Sequence, residues 1–174
     1  MDVPIKALGL YDPYSVEASI SRLPYVRSYT PADVSSSSVP ASSIVTYRFN
    51  PSKLNDSKVK FTWMDGGLRP SQPDQIKEDI GVGGILIYGE KGIISCNDYG
   101  TRAKLYIDGE VVETGQFDGI PSNSFNHYTS WVEAMVDGYG SDKHKNLNSG
   151  FDVAGPISEV CLLYTSPSPR DKTV

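Results

Sequence analysis

Trp63, Asp65 and Arg69 stand close together in the stretch Trp63-Met64-Asp65-Gly66-Gly67-Leu68-Arg69-Pro70, and they are the residue types that hold a polyol. An indole stacks on the apolar face of a sugar ring. A carboxylate accepts from sugar hydroxyls and a guanidinium donates to them. Gly66-Gly67 lets the backbone take positive φ and approach a ligand or another chain. Arg69-Pro70 then presents a cation on a stiffened loop. The same residues also fit a plain turn that ends a strand, with Asp65 bonding the turn's own amides. Trp63 fits a core position as well as a binding face. Spacing alone leaves these readings open.

Further candidates are scattered. His127 and Tyr128 begin a helical segment that can reach the same pocket, and each also fits an ordinary role, a solvated helix face for His127 and core packing for Tyr128. A free-standing hydrolase needs a carboxylate pair across a cleft. Asp65 with Glu133 or Asp152 would supply one, but nothing in the spacing singles out that pair. The run Gly81-x-Gly83-Gly84 precedes a strand instead of linking a strand to a helix, so it lacks the context of a phosphate loop. Cys96 and Cys161 have no metal-ligand spacing and make no disulfide framework.

The elements that position these residues read mostly as strands. Val59, Phe61 and Trp63 alternate with Lys58, Lys60 and Thr62, the period of a half-buried strand. Before it, Val45, Tyr47 and Phe49 point inward from a strand that Asn50-Pro51 stops, so the two form a hairpin or meander. Val16, Ala18 and Ile20 mark an earlier strand, which follows a helix over Asp2 to Leu8 that ends at Gly9 and a turn at Tyr11 to Tyr14. Pro31 to Ser43 is a long Ser/Pro-rich surface loop. Gln72 to Ile80 is polar and has room for one helical turn. Ile85 to Tyr88 and Ile93 to Cys96 form a hairpin about Gly89-Glu90-Lys91-Gly92, and Asp108-Gly109 marks a second hairpin with a type I′ turn.

The helical period enters late. Phe125, Tyr128, Trp131, Val132, Met135 and Val136 make one stripe, expected to face the core, with Ser122 or Ser124 as cap and Gly138 as stop. Asp142 to Lys145 reads as a solvated connection, and a last helix follows Phe151 to Pro156. Strands first and helices later predict an α+β fold: a largely antiparallel open β-sheet with helices packed on one face. The free face, carrying tyrosines and hydrophobics, is expected to pack on another domain or subunit.

Composition narrows the function classes. The chain of 174 residues is 39% hydrophobic and carries a formal net charge of −5. It is long enough for one ordinary core. No basic run suits a nucleic-acid backbone, so nucleic acid is not an expected partner. No stretch approaches the ~18 apolar residues of a membrane span. The eleven tyrosines suit sugar-binding faces, subunit interfaces and β-rich cores alike.

Both ends look cut. Met1 opens directly into a helical segment. From Cys161 the chain reads Cys161-Leu162-Leu163-Tyr164-Thr165-Ser166-Pro167-Ser168-Pro169-Arg170-Asp171, which one reading frame of a common transposase-type sequencing adapter would encode. Residues 161–174 are therefore expected to be a non-native, disordered tail, and 1–160 the domain.

Five segments in one order carry a family resemblance: Val16-Glu17-Ala18-Ser19; Trp63 to Pro70; Gly83-Gly84-Ile85-Leu86-Ile87-Tyr88-Gly89-Glu90-Lys91-Gly92; Trp131-Val132-Glu133-Ala134; and Phe151-Asp152-Val153-Ala154-Gly155-Pro156-Ile157-Ser158-Glu159. Together they resemble the C-terminal domain of bacterial Gfo/Idh/MocA oxidoreductases, the glucose–fructose oxidoreductase and inositol dehydrogenase family. The resemblance implies the substrate-binding and oligomerisation domain of an NAD(P)-dependent sugar or polyol oxidoreductase, a homo-oligomer formed through the open sheet face. NAD or NADP would be bound mainly by an N-terminal Rossmann domain. Some relatives use the bound nicotinamide to hydrolyse glycosides through transient oxidation, and relatives occur both in the cytoplasm and in the periplasm. Asp2 matches the last residue of the family's Gly-x-His-x-x-Asp segment, whose His would precede this chain. That match implies a carboxylate orienting the missing His, against a plain helix-surface carboxylate. The chain lacks Gly-x-Gly-x-x-Gly and Glu-Lys-Pro, so alone it is expected not to bind a dinucleotide or catalyse hydride transfer. The alternative is a carbohydrate-binding or interaction module without chemistry of its own.

Overall fold

Residues 1–21, 40–112 and 126–163 are described by the computed structural model. Helix α1 (Asp2–Leu8) ends where Gly9 takes the left-handed conformation at φ 66° and donates its amide to Ile5. Three strands follow: β1 (Pro13–Ser21), β2 (Ser42–Phe49) and β3 (Val59–Met64). They form one antiparallel sheet with β2 in the middle.

The alternation in β2 shows directly in its burial. Ser43, Val45, Tyr47 and Phe49 are buried, and the residues between them are half-exposed. The register pairs Val45 with Trp63, Tyr47 with Phe61 and Phe49 with Val59, so the expected face of β3 joins that of β2. The aromatic rings of Tyr47 and Phe61 lie 5.9 Å apart. Helices and the residue just after α1 cover this face: Ile5 of α1, Leu10 beyond its cap and Val160 are buried against Val45, Tyr47 and Phe49, with Ile157 and Met1 beside them. Val160 and Ile157 belong to α4 (Phe151–Leu162), which carries Pro156 inside and continues past Val160 through Cys161.

The other strands make a second antiparallel sheet, in the order β4 (Ile85–Tyr88), β5 (Ile93–Cys96), β6 (Lys104–Ile107), β7 (Glu110–Val112). Its own small core joins Ile76 to Ile93 and Tyr106. The fold is thus α+β with antiparallel open sheets, and the strands divide into two sheets because β3 and β4 are not neighbours. Both hairpins form where expected. At the second, Asp108 and Gly109 have φ 52° and 83°, as a type I′ turn demands. At the first, neither Gly89 nor Gly92 needs positive φ. Gly92 is required by crowding instead, since a Cβ there would lie 2.2 Å from the Tyr106 carbonyl oxygen.

The segment between Gln72 and Ile80 holds one hydrogen-bonded turn, with the Ile76 amide donating to Pro73, and no helix. Helix α2 (His127–Asp137) starts two residues after the first residue of its apolar stripe, Phe125. Its cap is Asn126, whose side chain accepts from the Thr129 amide, and Gly138 ends it. Ser122, Ser124 and Phe125 lie outside the described residues, as do most of the 31–43 loop and the tail from residue 164.

The stripe does not face a core. Tyr128 is 79% exposed and Val136 80%, Trp131, Val132 and Met135 are also exposed, and Ala134 is the buried residue of α2. Its neighbour is the short helix α3 (Asp142–Lys145), whose Lys143 lies 3.7 Å from Glu133 and 3.4 Å from Asp137. Periodicity correctly located a helix face but not what lies against it.

Candidate functional site

The best-built polar cluster joins the end of β3 to the start of β2. Antiparallel pairing places Asp65 opposite Ser43, one step beyond the Ile44–Met64 pair. The Ser43 amide and hydroxyl donate to the two Asp65 carboxylate oxygens at 2.6 and 2.8 Å. The Trp63 indole N–H donates to the same carboxylate at 3.2 Å. These bonds, the Ser43 hydroxyl first, hold the Asp65 carboxyl below its ordinary pKa, against a smaller rise from desolvation. Asp65 therefore stays ionised and spends most of its accepting capacity inside the fold.

The glycine pair makes this possible. Gly66 and Gly67 have φ 65° and 86°, and Leu68 donates its amide back to Asp65. A Cβ on Gly66 would stand 2.1 Å from the Ala41 carbonyl oxygen, whereas one on Gly67 would meet nothing. The close approach expected of these glycines is real at Gly66, and the partner is the chain's own backbone.

Trp63 remains 38% exposed, so one part of its indole is open while its N–H is fixed. Arg69 donates to the Gly81 carbonyl at 3.0 Å and lies 3.8 Å from Asp79, which leans the guanidinium toward the 79–81 loop. Trp63 and Asp65 are thus brought together, and Arg69 is held separately on the same loop. His127 and Tyr128 are exposed at the start of α2, their rings 5.8 Å apart. Among the described residues, no hydrogen bond, ion pair or ring contact links either of them to Trp63, Asp65 or Arg69. Asp2 lies in the first turn of α1, 3.3 Å from Lys6, as a helix-surface carboxylate would. Glu133 is paired with Lys143 and Asp65 with Ser43, so no contact among the described residues brings them together as an acid and a base.

A second cluster was not visible in the sequence. Glu78 accepts from Lys104 on both oxygens at 2.7 Å and from the Tyr106 hydroxyl. Lys104, ahead of Tyr106, lowers the pKa of Glu78. Burial, seconded by Glu78, pushes the Tyr106 phenol up to about 12. Ser43 could have been found, because it occupies an inward position of β2 in step with Val45 and Tyr47. The Glu78 cluster joins residues far apart in the chain and has no local signal.

The glycine run Gly81 to Gly84 does not have the strand-to-helix setting of a phosphate loop. Gly81 to Gly84 leads into β4, and the Asp98 carboxylate comes within 3.1 Å of the place a Gly83 Cβ would take. Negative charge there opposes a phosphate. No group of three histidine, cysteine or carboxylate side chains is placed to hold a metal among the described residues. No protein-family model matches the chain, and it matches no curated protein.

Proposed function

We propose that this chain is the substrate-binding and oligomerisation domain of an NAD(P)-dependent sugar or polyol oxidoreductase of the Gfo/Idh/MocA type, acting with a Rossmann domain on the same polypeptide. The observation that carries the reading is Trp63, half-open to solvent and fixed in orientation by Asp65, which is itself clamped by Ser43. A pre-oriented aromatic face loses little freedom when a sugar ring stacks on it. Asp65 then acts as a positioning residue for the indole, with Arg69 offering hydroxyl-directed donors on the adjoining loop. Self-association is supported by the second sheet. Ile87, Ile94, Leu105 and Val112 share its face away from Tyr106, and Ile94 and Val112 are 40% and 38% exposed. An open apolar face of this kind suits a second copy.

The test is the coding DNA on either side of this chain. A Gly-x-Gly-x-x-Gly and a Glu-Lys-Pro upstream are the expected result. In that longer enzyme, Trp63→Ala raises the KM for sugar with a smaller effect on the KM for NAD(P). Absence of both motifs overturns the oxidoreductase reading. A non-catalytic carbohydrate-binding module then takes its place, because the Trp63 platform is complete within this chain and needs no cofactor.

A further inference from the structure

A second polar feature lies on the other sheet, away from Trp63. Ser71 to Gln75 forms one wall of an open cleft, and the β4–β5 turn (Tyr88 to Gly92) with Asp108 forms the other. Its volume is about 520 Å³, within the range of small-ligand sites. Its walls are braced. The Gln72 amide nitrogen donates to the carbonyls of Ile76 and Glu78, and its oxygen accepts from the Ile80 amide. The Gly89 amide donates to Gly92 across the turn at 2.9 Å. Ile93, buried beneath, ties the turn to Tyr106 and Ile76.

The charged side chains lining this cleft are exposed and have no partner among the described residues. Asp74, Glu90, Lys91 and Asp108 make no side-chain hydrogen bond or ion pair among the described residues, although other surface charges of this chain do. Tyr88 is 60% exposed at the same rim. Three carboxylates and one ammonium give the cleft a net negative charge, which repels phosphates and acidic sugars. The lining is too polar for an apolar ligand. Water-exposed carboxylates that can accept, an ammonium that can donate and an exposed aromatic ring describe a neutral polyhydroxylated ligand, whose hydroxyls can replace the water on these groups.

We propose that this cleft is a second carbohydrate site, which takes a neutral saccharide with Tyr88 as the stacking ring and Asp74, Glu90 and Asp108 accepting from its hydroxyls. It adds to the Trp63 reading without depending on it. A shallow, open site of this kind binds weakly and holds one end of a saccharide.

The test is amide NMR of the full chain titrated with maltose and, separately, with myo-inositol. The expected result is saturable shifts at Tyr88, Gly89, Gly92 and Asp108. Tyr88→Ala weakens them about tenfold, as losing one stacking contact should. Asp108→Asn, which tolerates the same left-handed backbone, weakens them while leaving the turn intact. Inorganic phosphate leaves these amides unmoved. Three results overturn the proposal: shifts confined to the Trp63 indole, which leave the Trp63 reading standing; cleft shifts that Tyr88→Ala does not weaken; and cleft shifts given by calcium chloride but by neither sugar. Failure of the Trp63 reading is separately visible, as an unmoved indole N–H.

Discussion

The Asp65 carboxylate accepts both polar hydrogens of Ser43, the amide at 2.6 Å and the hydroxyl at 2.8 Å, and so closes β3 onto β2 just where the sheet ends. Ser43 is 3% exposed, so its hydroxyl has no water to turn to. Asp65→Ala should therefore cost about 1–3 kcal/mol, the range for leaving a buried polar group unpaired. Urea unfolding of both proteins at neutral pH measures it.

The same pair predicts an acid response of definite sign. The folded Asp65 pKa lies below the unfolded one, so the stability it contributes is fully present above the unfolded value of roughly 3.9 and is lost as pH falls through the folded value. The stability gap between the natural chain and Asp65→Asn should hold steady from neutral pH to about pH 5 and shrink below about pH 4. A gap that stays constant into acid would show that the carboxylate charge contributes nothing to the clamp.

Gly66 and Gly67 look alike in the sequence and should respond differently. Both need positive φ, which costs an alanine roughly 1–2 kcal/mol. Gly66→Ala adds a clash with the Ala41 carbonyl at 2.1 Å, while Gly67→Ala meets open space. Thermal unfolding should show the larger loss at Gly66, together with a change in Trp63 fluorescence, because the clash pushes apart the strands that hold the indole. Equal losses at both positions would mean that the turn relaxes away from Ala41.

What could be read from the sequence was local. The period-two pattern of Val45, Tyr47 and Phe49, the Gly9 cap and the Asp108-Gly109 turn each depend on neighbours a few residues away, and each is present in the structure. The α2 stripe shows the limit. Period 3.6 puts Tyr128, Trp131, Val132, Met135 and Val136 on one face, but it carries no information about what covers that face, and here the face is exposed. The division into two sheets was hidden for the same reason, since alternation assigns a strand its faces and not its neighbours. At the candidate site, Trp63 and Asp65 were legible because they are two residues apart, at the end of β3 and just beyond it. Their partner Ser43 lies 22 residues from Asp65, and only the register brings it close.

Tyr106 gives the sharpest measurable consequence of a contact that sequence could not reveal. Its phenol is 3% exposed, donates to Glu78 and has its pKa pushed up to about 12 by burial first and Glu78 second. A raised acid pKa means that the folded chain keeps a proton which the unfolded chain releases near pH 10. Between those values the folded state binds more protons, so stability is fully present below about pH 10 and falls as pH rises toward about 12. Absorbance titration of the tyrosines should show the Tyr106 phenol ionising well after the exposed ones. Tyr106→Phe should remove that late step and flatten the alkaline loss of stability. Glu78→Gln should move the step downward without abolishing it, because burial remains when the neighbouring charge is gone. A late step that survives Tyr106→Phe would show that Tyr106 is not the phenol that ionises late.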